Sequence, residues 1–233
     1  MKAPDGIAAL RNFIDQQTDP AQKAALARAV EAFEGMLRDS TCDTARLGAV
    51  VEVAGAKERA LWDAGTEMLV ELASRHELAR EAFVALARSR KAGQRYAAIA
   101  LVDDRLPRPL VLDVLKAGLT DTSTKVRDHA FVRCNDLAAR ELVDEMAKVA
   151  ATLEGKARES AEFYLALTRD GYLVKPGGTS ASVVFMAPGR MISRFVSPDE
   201  VTPDRIAATV ARLRKEDEEE QAELARIRAI SAR

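Results

Sequence analysis

Four side chains carry the softer groups that bind metals or serve as nucleophiles and bases: Cys42, His76, His129 and Cys134. A structural zinc site needs four such ligands brought together, usually in closely spaced pairs. His129 and Cys134 are five residues apart in a helical pattern and point to different faces, a surface histidine beside a buried cysteine. Nucleophilic catalysis needs a base beside Ser, Thr or Cys, and neither histidine has that neighbourhood. Lys175-Pro176-Gly177-Gly178-Thr179-Ser180 has ingredients of a phosphate-binding loop. Its lysine precedes the glycines, however, and a strand-like run follows where the chemistry requires amides opening a helix. It is better explained as a connection between strands. Carboxylates such as Asp103, Asp104, Asp113, Asp121, Asp128 and Asp136 are so plentiful that no pair marks itself out for acid–base work. The expectation is a non-enzymatic protein with no catalytic residues, no metal ligands and no cofactor.

The cations carry more pattern. Arg95, Arg127 and Arg158 recur at intervals of 32 and 31 residues, and Arg88, Arg90 and Lys91 precede the first of them. Lining one groove, they would contact acidic side chains or phosphates. Residues 77–169 hold 16 basic and 14 acidic side chains, and Asp128, Asp136 and Glu159 interleave with the row. Pairing with neighbouring carboxylates is therefore the simpler role. The whole chain has 35 Lys and Arg against 36 Asp and Glu, which gives no global attraction to nucleic acid. Trp62, Tyr96 and Tyr164 are the few aromatics near the row. Nucleic-acid binding is kept as the alternative to protein binding.

The elements that would position these groups are mostly helices. Of 233 residues, 48% are hydrophobic and only 5% aromatic, with Ala, Leu, Arg and Glu recurring throughout. That length suits one or two domains. Two cysteines make no disulfide framework, the start of the chain has no apolar signal core, and no long uncharged apolar run is present. A cytoplasmic protein without membrane partners is expected. Asp19-Pro20 opens a helix with Ala25, Ala29, Phe33 and Leu37 on one face. Asp43 or Thr44 opens another, and the residues leave open whether 44–75 is one helix or two, because Ala54-Gly55-Ala56 can interrupt it.

From Glu77 to Arg169, breaks at 89–93, 106–109, 120–123 and 154–155 predict about six helices in three hairpins. Aligned second helices superpose Ala98, Ala130 and Ala161 as well as the three arginines. A period of 31–32 residues indicates stacked helical repeats, each hairpin burying its apolar stripe on its neighbours. The run Leu119-Thr120-Asp121-Thr122-Ser123-Thr124-Lys125-Val126-Arg127-Asp128-His129-Ala130 resembles the turn and second-helix start of a HEAT-type repeat, in the armadillo-type class. The resemblance implies that an Asp before the helix and an Arg six residues later pair from repeat to repeat. Ser89 and Thr152 stand at the positions equivalent to Asp121, so such a ladder is interrupted. Fold alone does not fix function.

After Asp170 the composition changes. Runs 182–186 and 191–196 flank Pro188-Gly189, which suits a type II turn, and Tyr172 to Lys175 offers a third strand. A small β-hairpin is expected, and a lone hairpin must pack on something. Ser197-Pro198-Asp199-Glu200 and Thr202-Pro203-Asp204 are successive helix starts. Ile206, Val210, Leu213, Leu224 and Ile227 then follow a heptad seam in which Asp217 and Glu220 fill the gaps, and the run 215–220 reads as a solvated stretch. The expected architecture is mainly α: a solenoid of stacked helical hairpins (1–169), a β-hairpin insertion (170–198) and a long C-terminal helix (199–233). The expected function is a protein-binding scaffold or adaptor contacting its partner through Arg95, Arg127, Arg158, Phe185 and Phe195, with residues 171–233 available for a homodimer.

Overall fold

The computed structural model describes residues 3–187 and 190–231. The Pro188-Gly189 turn lies outside the described residues. The first helix, α1 (Ala3–Asp15), tolerates Pro4 because proline near a helix start removes an amide that has no intrahelical acceptor. At α2 (Pro20–Asp39) the Asp19 carboxylate accepts from the Ala21 and Gln22 amides at 2.8 and 3.4 Å, and Asp43 does the same for Arg46 at the start of α3 (Thr44–Ala54). Residues 44–75 form two helices, since α4 (Arg59–Arg75) begins after a break at 55–58. Then come α5 (Glu77–Ala87), α6 (Ala92–Leu101), α7 (Arg108–Leu119), α8 (Thr124–Asp136), α9 (Val143–Ala151) and α10 (Gly155–Asp170), the six helices expected between 77 and 169. A short 3₁₀ turn, Arg140–Leu142, precedes α9. No described helix is long and apolar enough to cross a membrane.

Contacts divide the chain into two units, Met1–Ala161 and Glu162–Arg233. In the first, each of α1 to α7 packs on the next helix in sequence, and packing also skips one: α4 meets α6, α6 meets α8, α5 meets α7, and α7 meets α9. Ala98, Ala130 and Ala161 are all buried. The reason for small residues is visible at α7, where a Cβ added to Gly118 would stand 2.6 Å from Ile99 Cδ1 and 2.9 Å from Ala130 Cβ. Three helices converge there with no room for a methyl group. Ala130→Leu is expected to destabilise the fold by about 1–3 kcal/mol through overpacking; an unchanged midpoint in thermal unfolding would contradict this seam.

Arginines also close the helix ends, where the last carbonyls have no intrahelical donor. Arg80 donates to Ala73 O at 2.9 Å, Arg108 to Leu137 O at 2.9 Å, and Arg133 to Val102 O.

The second unit holds a three-stranded antiparallel sheet, β1 (Tyr172–Pro176), β2 (Ala181–Ala187) and β3 (Arg190–Val196), in the order β1-β2-β3. Phe185 lies opposite Tyr172 on one side and Ile192 on the other. Alternation sends Ala181, Val183, Phe185, Ile192 and Val196 to one face. They form a core with Ile206, Val210 and Leu213 of α11 (Ile206–Ser231). The sheet and terminal helix, distinct in composition, thus share one core. Neither the hairpin nor the helix could bury its apolar face alone, which is why segments 170–198 and 199–233 fold together here. The start signal at Ser197 makes a 3₁₀ turn, Pro198–Val201, with a capping box to Glu200. The signal at Thr202 accepts the first amides of α11 through its carbonyl.

Candidate partner-binding surfaces

The arginine row is built at the turns between paired helices. At the first two turns the residue three positions before the second helix accepts a local amide: Ser89 Oγ from Lys91 at 3.1 Å, and Asp121 Oδ1 from Ser123 at 2.7 Å. The arginine six residues later reaches back to the carbonyl of the same turn residue, Arg95 to Ser89 O at 2.8 Å and Arg127 to Asp121 O at 3.1 Å. Arg95 then uses its other edge across the hairpin boundary. Its Nε and Nη2 donate to Asp121 Oδ2 and Oδ1 at 2.6 and 2.8 Å, a bidentate pair with the two side chains 17% and 7% exposed. The Arg95 hydrogen bonds hold the Asp121 carboxyl below the usual carboxylate range, against the opposing effect of burial. Arg95 is consumed by this rung. One boundary earlier, where Ser89 replaces the aspartate, Gln94 contacts Ser89 Oγ and donates to Gly55 O at 2.9 Å, an amide bridge in place of an ion pair. Arg127 stays beside the next boundary, and Arg158 is exposed on α10.

Along the second helices, Trp62, Tyr96 and His129 form a row. Trp62 and Tyr96 meet edge to face at 6.0 Å, Tyr96 and His129 lie 5.0 Å apart, and the Lys125 ammonium sits 4.3 Å from the Tyr96 ring. His129 is half-buried rather than on the surface. Burial and the nearby Arg133 lower its pKa. Cys134 is fully buried, and burial pushes its thiol up to about 12, so it is not a nucleophile near neutrality. Among the described residues no group of three or more His, Cys, Asp or Glu is placed to hold a metal ion.

In the C-terminal unit Phe185 is fully buried in the core against α11, where a partner cannot reach it. Phe195, by contrast, is 78% exposed and Met191 55% exposed. Both project from the outer face of β3, an edge strand, with Ser193 between them and joined to Ser182 at 2.8 Å. Asp217 is the main correction on α11. Instead of being solvated, its side chain is 4% exposed and accepts from Arg190 at 2.7 and 2.8 Å, while Arg194 pairs with both Asp217 and Glu220. The heptad seam continues along the helix, but Asp217 and Glu220 meet cations of β3 and not a second helix. The signal was present in Arg190 and Arg194, whose alternation places them on the same face as Ile192 and Val196.

No family model matches the chain, and no curated protein matches it. One similar solved structure is the crystal structure of an engineered protein from the Northeast Structural Genomics Consortium. It is 16% identical, with 70% of this chain and 80% of that chain covered at a TM-score of 0.36. That likeness is too distant to carry an argument about fold or function.

Proposed function

We propose that this chain is a non-enzymatic, cytoplasmic adaptor built on a HEAT-like, armadillo-type α-solenoid, and that it binds another protein through its helical repeats and its C-terminal sheet. The solenoid reading is supported by packing that runs between near neighbours in the first unit and by one Arg95–Asp121 rung between consecutive hairpins. The observation that carries the binding role is Phe195, 78% exposed on the outer face of an edge strand that also exposes Met191. Burying one such aromatic in an interface contributes about 1.5–3 kcal/mol. A second copy of the chain joined through residues 171–233 is one form such a partner takes.

The arginine row supports the nucleic-acid alternative less, because Arg95 is engaged by Asp121 and Arg127 caps a turn carbonyl. The test compares the full chain with a Met191→Ser, Phe195→Ser double variant, using affinity capture for a partner and light scattering for self-association. The variant should keep its thermal midpoint and recover at least tenfold less partner, or lose the dimer. Equal recovery by both chains, or no protein bound by either, would overturn the reading.

A further inference from the structure

The rung at Arg95 shows what this arginine motif does with a carboxylate, and Arg127 repeats the motif without one. Both guanidiniums hold their own turn carbonyl through Nη1. Where Arg95 offers Nε and Nη2 to Asp121, Arg127 has an Nε that is enclosed and donates to nothing, and an Nη2 whose only described acceptor is Thr124 Oγ1 at 3.3 Å. The enclosed Nε is out of a partner's reach, so Nη2, held by one long bond, is the group left for an outside acceptor. The sequence explains the gap. The connection 152–154 is one residue shorter than 88–91 and 120–123, and it carries Thr152 and Leu153 where 120–123 supplies Asp121.

Beside this guanidinium is a cleft of about 390 Å³ lined by Arg127, Lys148 and Asp121, by Thr120 and Thr152, and by Leu119, Val149 and Leu153. Two cations, one carboxylate, two hydroxyls and three apolar side chains therefore surround one volume. The nearest carboxylates are already taken: Asp121 by Arg95, and Glu145, which senses Lys148, by Lys116 at 2.8 Å. We propose that this cleft between α8 and α9 is an anion site for a single Asp or Glu side chain of a partner peptide, hydrogen-bonded to Arg127 Nη2 with Lys148 beside it and apolar flanks over Val149 and Leu153. The inference rests on the protein-binding reading and names the chemistry of the partner. A carboxylate is favoured over a phosphate because the one occupant of this motif within the chain is a carboxylate. Asp121 and Glu145 also stand close enough to oppose a dianion.

The test uses the full chain with nitrogen-15 label and follows the arginine Nε–H signals, that of Arg127 identified by its loss in Arg127→Lys. The probes are a capped Ala-Val-Asp-Leu-Ala peptide, its Asn twin and inorganic phosphate. The Arg127 signal should shift saturably with the Asp peptide and not with the Asn twin, while the Arg95 signal stays fixed. Lys148→Gln should weaken that binding at least threefold, and Arg127→Gln about tenfold or more. No shift with the Asp peptide, an equal shift with the Asn twin, or a shift with phosphate alone would overturn the proposal. A failure here leaves the Phe195 experiment untouched, so the two readings fall separately.

Discussion

Gly65→Ala should destabilise the protein by about 3 kcal/mol, although intrinsic helix propensity alone favours the substitution by about 1 kcal/mol. Gly65 lies in the interior of α4 and is buried, and helical preference there argues for alanine. The opposing effect is contact with α3: a Cβ at position 65 would stand 2.3 Å from Ala54 N, 2.6 Å from Val53 C and 2.7 Å from Ala54 Cα. All three atoms are backbone, so no rotamer change relieves the overlap and one helix must move. The two effects have opposite signs, which makes the sign of the change decisive. Chemical denaturation of Gly65→Ala measures it, and a variant as stable as the parent or more so would show that α3 and α4 do not approach this closely.

Asp121→Ala should cost about 3 kcal/mol, the lower end of the range for breaking a buried ion pair, because Arg95 keeps 17% exposure and some access to water. The variant loses the bidentate rung and the turn bond to Ser123 together. The pH dependence has a definite sign. The Asp121 carboxyl titrates below its unfolded value, so its contribution is complete above the unfolded value near pH 4 and declines as pH falls toward and through the folded one. Stability measured downward from pH 5 should therefore fall more steeply in the parent than in Asp121→Ala, and parallel curves would contradict the assignment. Asp39 and Asp43 are also held low by Arg46, but both are present in the parent and the variant and so cancel in the comparison.

Much of this arrangement was legible because it is local. Asp19 and Asp43 cap the helices they precede, the three turn positions recur at nearly fixed spacing, and alternation between 181 and 196 reads directly as strands. The interrupted ladder was also legible, since Ser89 and Thr152 cannot supply a carboxylate. What the residues hid depended on partners distant in sequence. Asp217 sits in a run of charges that looks solvated, and only the strand 27 residues earlier brings Arg190 against it. Phe185 and Phe195 look alike in sequence, yet the register of β2 against its neighbours sends one into the core and the other to solvent. The chain reversal after α8 was hidden for another reason. Its left-handed residue is Ala138, at φ 46°, where a glycine would have announced the turn. The exposed carbonyls of Leu137 and Ala138 are instead held by Arg108.

The Arg95–Asp121 rung links consecutive hairpins, and a double-mutant cycle on Arg95→Ala and Asp121→Ala measures it most directly. If the guanidinium of one hairpin grips the turn of the next, the double variant should lose less stability than the two single losses together, with a coupling of about 1.5–3 kcal/mol. Strictly additive losses would mean that residues 95 and 121 do not meet, and with them would go both the stacked arrangement and the vacant carboxylate position at Arg127.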